Sequence, residues 1–236
     1  MSLLGIVKAT MDSNGWPTVT SSVSASQDPN MRQCFALANK ALWSACFKKP
    51  WPVLTREHVF KTVGGQSEYP LPDDFHHLVV PSAVNANQYY SIKGSLSPIQ
   101  WYRYALNGGI NWAQGFRIDP FSKNFIVAPT PSSPEDLMLM YITKFVAKDA
   151  SDVPVERYSQ DSDMSLLDED LIEMGLSWRW RQKKGLDFTA EMAEYNGTLN
   201  QRFAQQVGSG EFNIGARPLY DNYPLTQPST PAIFGP

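Results

Sequence analysis

The chain has 236 residues, 12% of them aromatic and 18 of them proline, with 20 lysines and arginines against 23 aspartates and glutamates, a net charge of -3 and a pI near 5.6. That length supports one sizeable core or two small ones, and the acidic balance argues against a chain whose main task is gripping phosphate backbones, since that takes a basic excess. No stretch approaches ~18 uninterrupted apolar residues, and 1–11 is too short and too mixed, with Lys8 and Thr10, for a secretory leader, so a soluble protein without a membrane span is expected.

Residues 2–12 read as a first helix, with Leu3, Leu4 and Val7 on one side and Gly15 beyond its end. A Ser- and Thr-rich loop follows over 16–27. Asp28-Pro29 then supplies a cap and a proline at the first helical position, and Met31, Phe35, Ala38, Leu42 and Ala45 form the apolar stripe of a helix closed by Lys48-Lys49-Pro50. Cys34 and Cys46 both fall on this helix. Twelve residues at 1.5 Å each separate them by ~18 Å, far beyond the ~7 Å limit for a disulfide, which predicts two free thiols and a reducing compartment.

From Trp51 the period becomes that of strands. Stretches 54–63 and 67–71 flank Gly64-Gly65, a pair suited to a hairpin turn because both positions tolerate positive φ. Stretches 77–84 and 89–92 are further strands. Ser97-Pro98-Ile99-Gln100 resembles a capping box, so 98–106 reads as a short helix ended by Gly108-Gly109. Stretches 115–118 and 124–128 predict a hairpin around 119–123. An almost wholly apolar strand follows over 136–146. It carries Leu137, Leu139, Tyr141, Thr143 and Phe145 on one face and Met138, Met140, Ile142 and Val146 on the other, the pattern of a central strand covered on both sides. This insert is expected to have its own core, and 147–163 reads as a polar connection leading out of it.

The next helix lies within 163–185. Its acids, Asp168, Glu169, Asp170 and Glu173, come first; its bases, Arg179, Arg181, Lys183 and Lys184, come last, as the helix macrodipole favours, and Gly185 supplies a left-handed stop. Leu167, Leu171, Met174 and Trp178 form one stripe, with Gly175 beside it able to admit another backbone. Asp187 caps a second helix in which Phe188, Met192, Tyr195, Leu199 and Phe203 repeat the spacing. A tight turn at 184–186 lays the two antiparallel, so 164–207 predicts a helical hairpin that needs further helices to cover it. Trp180 points about 200° around from Trp178, toward a second contact surface. The packing set is thus Leu167, Leu171, Met174, Trp178, Trp180, Phe188, Met192 and Tyr195, serving the bundle or a neighbouring copy. Beyond Gly208 the periodicity vanishes, and five prolines are spaced among Phe212, Tyr220, Tyr223 and Phe234. These rings suggest an extended arm that orders against another surface; folding back on its own subunit or staying mobile is the other reading.

The predicted class is therefore α+β: a helical bundle formed from both ends of the chain (1–50 and 149–207), an inserted β-rich domain (51–148) and a C-terminal arm (208–236).

Few residues suggest chemistry. Asp168, Glu169, Asp170 and Glu173 could be imagined as a general acid and base, since glycosidic hydrolysis needs two carboxyls roughly 5–9 Å apart, but acids in a first helical turn are what the dipole favours in any protein. His58, His76 and His77 have no partners at metal-ligand spacing. Neither GxSxG, GxxxxGK[ST] nor GxGxxG occurs. No catalytic, cofactor-binding or metal-ligating residue is assigned. The stretch 178–184, WRWRQKK, mixes rings with bases in a way that also suits nucleic-acid binding; packing is the competing reading, because the bases sit where a helix C-terminus favours them.

The order of these elements resembles the head-to-tail adaptor proteins of short-tailed bacteriophages, also described as tail accessory or head-completion proteins. The residues that carry it are SLLGIV, the DPNMRQCFALANKAL helix running into WPVLTREHVFKTVGGQSEYPLPDDF, IDPFSKNFIVAPTPSSPEDLMLMYITK, and DSDMSLLDEDLIEMGLSWRWRQKKGLDFTAEMAEYNGTL. Together they cover nearly the whole chain up to the arm. The resemblance implies a structural virion protein at the head-tail junction, assembled from the host cytoplasm as a ring, typically of 12 copies. That ring sits under the portal protein and carries the tail nozzle or tail tube protein, with double-stranded DNA passing through its lumen without sequence-specific binding. It implies that C-terminal arms dock on the portal, and no cofactor. Some similar tail accessory proteins are associated with peptidoglycan hydrolysis, so a tail-associated hydrolase is the alternative, with the acids at 168–173 as the place to look.

Overall fold

The computed structural model describes residues 1–16, 22–87, 90–106 and 114–207. The fold is α+β. Four helices from the two ends of the chain, α1 (Leu3–Asn14), α2 (Pro29–Lys48), α4 (Glu169–Lys183) and α5 (Thr189–Val207), pack together, and a short α3 (Pro98–Leu106) lies among strands between them.

Local chemistry sets the helix ends. Ser2 caps α1 by accepting from Gly5 N at 3.3 Å, and Gly15 stops it at φ 65°. Asp28 Oδ1 accepts from Asn30 N at 2.7 Å and Met31 N at 3.1 Å, with Pro29 in the first turn of α2, where its missing N–H costs nothing. Asp168 caps α4, and beyond its end Gly185 turns back at φ 72° while Leu186 N donates to Arg181 O at 3.0 Å. The turn leads directly to Asp187, whose Oδ1 accepts from Thr189 N at 3.0 Å and so starts α5. The capping box at Ser97 is also present: Ser97 N donates to Gln100 Oε1 at 2.9 Å and Gln100 N to Ser97 Oγ at 3.4 Å. The expected stop at Gly108-Gly109 lies outside the described residues.

Helix α4 is the hub. It packs against α2, α5 and α1, and Gly175 is the notch that allows it: a Cβ there would stand 3.2 Å from Ala41 Cβ of α2 and 3.4 Å from Tyr195 Cε2 of α5. Because α4 is covered on several sides, its buried face is wider than the single expected stripe and is turned from it. Leu171, Ile172, Gly175, Leu176, Arg179 and Trp180 are buried, whereas Met174 and Trp178 are half-buried; Leu167 is buried just ahead of the helix. A similar turn affects α2, which buries Cys34, Leu37 and Ala41 beside Ala38, Leu42 and Ala45 and leaves Met31 and Phe35 half-buried. In α5, Tyr195 and Leu199 are buried and Met192 and Phe203 half-buried, as is Phe188 just ahead of the helix. Both thiols are free and buried, and burial pushes that of Cys34 up to about 12 and that of Cys46 further up.

Between the helical segments, β1 (Thr55–Lys61), β3 (Phe75–Asn85), β4 (Tyr90–Ser91) and β7 (Asp136–Thr143) form an antiparallel sheet in the order β1-β7-β3-β4. The apolar β7 is central, ending at Thr143 rather than Val146. A second antiparallel sheet orders β2 (Glu68–Pro70), β6 (Asn124–Ala128) and β5 (Gly115–Ile118) as β2-β6-β5. The hairpin expected at Gly64-Gly65 is not formed. Strand β1 pairs with β7, from Thr55 opposite Ile142 to Lys61 opposite Asp136, while β2 pairs with β6, so these glycines carry the chain from one sheet to the other. The physical reason is the core between the sheets. Phe60, Tyr69, Phe116 and Phe125 meet there, with Phe60 to Tyr69 ring centroids 5.1 Å apart, and a local hairpin would have drawn the first two out of it. Tyr69 Oη fastens the turn by donating to Gln66 O at 2.7 Å and accepting from Val63 N at 3.1 Å.

The stretch 147–163 is more than a polar connection. It contains β8 (Ala147–Lys148) and β9 (Pro154–Val155), which with β10 (Met164–Ser165) make a third small sheet in the order β10-β8-β9, and it buries Tyr158 and Asp163. Asp163 Oδ2 accepts from Ser159 N at 2.6 Å and Gln160 N at 2.8 Å. Asp161 Oδ1 accepts from Ser24 N at 2.8 Å, and Leu3 N donates to Asp163 O at 2.8 Å. Tyr158 N donates to Asn39 Oδ1 at 2.9 Å. This segment therefore ties α1, the loop before α2 and α2 itself to the entrance of α4.

Candidate assembly surfaces

At the basic end of α4 the two tryptophans and Arg179 are engaged inside the molecule, while Gln182, Lys183 and Lys184 stay exposed. Trp180, expected to face a second contact surface, is buried against Trp16 with ring centroids 4.9 Å apart, and Lys184 Nζ lies 4.4 Å over its ring. Trp178 lies beside Phe188 and Tyr195 of the other arm of the hairpin, at 6.1 and 6.3 Å. Arg181 pairs with Glu191 at 3.1 Å and donates through Nε to Asp187 O. A stacking platform for nucleic acid would need these rings free.

Arg179 departs furthest from its expected place at a solvated helix end. It is only 6% exposed. Its Nη1 donates to Gly175 O at 2.7 Å, its Nη2 donates to Ser44 Oγ of α2, and the guanidinium carbon stands 4.2 Å over the Trp178 ring. It forms no ion pair among the described residues, and burial pulls the guanidinium below its ordinary value, with Tyr195 opposing. No periodic pattern marks it, because a cation in an apolar face is indistinguishable in sequence from one at a dipole-favoured end.

The acids of α4 diverge. Asp168 pairs with Arg202 at 3.2 Å, Asp170 reaches the same guanidinium at 3.5 Å, and Glu169 pairs with the Met1 ammonium. Glu173 turns instead into a cleft of about 250 Å³ between α4, α5 and the end of α1, which Asp170, Met174, Ser177, Glu191, Glu194 and Ser13 also line. Burial lifts the Glu173 carboxyl above its ordinary value; the hydrogen bond from Ser13 Oγ opposes that and the Asp170 charge adds to it. The cleft is thus rich in carboxylates and short of cations.

The opposite side of the bundle differs. On the outer face of α2, Arg32, Ala36, Lys40 and Trp43 are exposed, the last by 44%. Trp43 is held by Phe47 at 4.4 Å and by the edge of His76 at 5.4 Å, and His76 stacks on Phe47 at 3.9 Å, so α2 meets β3 through these rings. His76 Nδ1 and His77 Nδ1 are 2.6 Å apart, which one shared proton satisfies. Burial lowers both imidazoles below their ordinary value, and for His76 the neighbouring His77 adds to it. Sequence reasoning passed over this ridge because its tryptophan lies off the apolar stripe; an aromatic between bases on a polar helix face was the available signal. Among the described residues no group of three His, Cys, Asp or Glu is arranged to hold a metal ion, and no helix is long and apolar enough to cross a membrane. The four arm residues Phe212, Tyr220, Tyr223 and Phe234 lie outside the described residues.

The distinctive surface features are thus an acidic cleft and an aromatic, basic ridge on one helical frame. The sequence then supplies the family: the model for the SU10 adaptor protein matches residues 4–219. The chain belongs to the SU10 adaptor protein family and is a bacteriophage adaptor structural protein. No curated protein matches it at significance.

Proposed function

We propose that the protein is the head-to-tail adaptor of a short-tailed phage, assembling as a ring of 12 copies beneath the portal and offering the surface on which the nozzle or tail is built. The family match over 4–219 is the observation that carries this reading. In it, 1–50 and 149–207 act as the ring-forming bundle, 51–148 as the inserted domain that receives the next tail component, and 208–236 as an arm that engages the portal through Phe212, Tyr220, Tyr223 and Phe234. Double-stranded DNA passes through the lumen, where a net charge of -3 per copy avoids trapping phosphates. The subunit is made in the host cytoplasm and ends at the head-tail junction of the virion.

Light scattering with negative-stain imaging, on the protein alone and with purified portal rings of the same phage, tests it. A complete added ring on each portal is expected; protein that ignores the portal overturns the reading. Removing 208–236 leaves a folded protein that no longer joins portal-bearing heads, and a truncated protein that still fills the vertex refutes the role of the arm.

The hydrolase alternative keeps one supporting observation, the raised Glu173 carboxyl in a cleft with Asp170 and Glu194. Clearing of cell walls that is lost in a folded Glu173→Ala variant would establish it.

A further inference from the structure

We propose that neighbouring copies join by seating the α2 ridge of one, with Trp43 at its centre and Arg32 and Lys40 along it, in the acidic α4–α5 cleft of the next. This rests on the ring reading above and adds to it the two surfaces that meet.

Helix α4 fixes the direction of each. At about 100° per residue, Asp170, Glu173 and Ser177 stand on the side of α4 roughly opposite Gly175, and Gly175 is the residue whose Cβ position meets Ala41 of α2. Helix α2 turns Leu37, Ala38 and Ala41 inward, so its exposed Arg32, Lys40 and Trp43 point further out along that same direction. Ridge and cleft therefore look away from each other across the bundle. Two different surfaces facing opposite ways pair head to tail, the arrangement that makes a ring when the turn between successive copies closes; a twofold pair needs one surface meeting itself.

Charge and shape agree. In the cleft, Glu191 is answered by Arg181 and Asp170 only at 3.5 Å by Arg202, whereas Glu173 and Glu194 form no ion pair among the described residues. On the ridge, Arg32 and Lys40 likewise form none among the described residues. Met174 gives the cleft an apolar wall, and its volume of about 250 Å³ admits one large side chain. Trp43 is the exposed ring of this ridge, and Phe47 and His76 already hold it in place, so seating it costs little side-chain freedom. A tryptophan anchor with a charged surround is the composition that dominates binding energy at interfaces, while opposite charges set register and partner choice.

A charge swap tests this in full-length protein. One variant carries Arg32→Glu and Lys40→Glu; the other carries Asp170→Lys and Glu194→Lys. All four side chains are exposed, and unchanged thermal melts show that each variant folds. With portal rings of the same phage, each variant alone is expected to lose the added ring that the unaltered protein builds. An equal mixture recovers it, because each altered ridge then meets an altered cleft. Trp43→Ala reduces the fraction of portals carrying a complete ring. Variants that assemble alone as the unaltered protein does overturn this interface and leave the ring reading standing, and so does a mixture of folded variants that stays unassembled. Unaltered protein that never adds a ring overturns the ring reading, and this proposal with it.

Discussion

The helical cluster draws Leu3, Leu42, Leu171 and Leu199 from opposite ends of the chain, whereas the sheet cluster draws Tyr69, Phe116, Phe125 and Leu139 from the stretch between. The first is mostly aliphatic, cut by long-range polar ties from Asp161, Asp163 and Asn39 and by one buried guanidinium. The second is smaller and held by rings in contact. At the seam the two are tied by Trp51, buried and donating to Ala45 O at 2.8 Å, and by Ile142 and Val146, which belong to the helical cluster although one of them sits in β7. The contrast teaches that the sheets can hold together on local residues while the bundle exists only once both chain ends are in place.

Leu171→Ala and Leu139→Ala probe this directly. Each empties a fully buried site and is expected to cost about 3 kcal/mol in urea unfolding. Hydrogen exchange separates them: Leu171→Ala loosens all four bundle helices, Leu139→Ala chiefly β1, β3 and β7. Equal loss of α4 protection in both would reduce the two regions to one cooperative unit.

Asp161→Ala removes a carboxylate that accepts from Ser24 N, Val23 N and Ser22 Oγ, and is expected to cost about 2 kcal/mol. Burial works against the Asp161 charge, but these hydrogen bonds outweigh it and hold the carboxyl below its ordinary value. Its contribution is therefore complete above that ordinary value and lost as pH falls through the lowered one. Acid titration of stability should show this loss in the unaltered protein and lack it in the variant.

Arg179→Met sharpens the comparison from the other side. Removing a buried cation that has no carboxylate partner among the described residues, with a side chain of similar reach, is expected to raise stability by about 1 kcal/mol. A loss of about 2 kcal/mol instead would show that the bonds to Gly175 and Ser44 outweigh the burial of the charge.

The smallest effect lies at the contact between the regions. Because His76 and His77 are lowered in the fold, the unfolded chain binds more protons below their ordinary value, so stability should fall as pH drops through about 6.5 toward the lowered values. Thermal midpoints on either side of that pH measure it, and His76→Phe should weaken the dependence while keeping the stack on Phe47.

Helices were legible in the sequence because their ends are written locally: Ser97 with Gln100, Asp28 with Pro29, Gly185 before Asp187. The central place of β7 was legible too, since a strand apolar on both faces has nowhere else to go. The partner of β1 was not, because Gly64-Gly65 suits a hairpin or a crossing equally and the choice is made by Phe60 and Tyr69 meeting rings from 116 and 125. Nor was the role of 147–163, where single buried residues such as Tyr158 and Asp163 repeat at no period. On the surface, the acids at 168–173 stood out but the cleft did not, because Glu191 and Glu194 come from another helix; the α2 ridge gave only one tryptophan off the apolar stripe.

The dependence of α1 on α4 also sets an order of events at the ribosome. Leu3, Ile6 and Val7 are made well before their covering helix, Glu169–Lys183. At ~5–20 residues per second, roughly ten seconds or more of synthesis pass with the apolar faces of α1 and α2 open to water, while the intervening sheets can already close on their own rings. The two helices made before the sheets are thus the segments left uncovered longest, and the synthesis of α4 is what closes them.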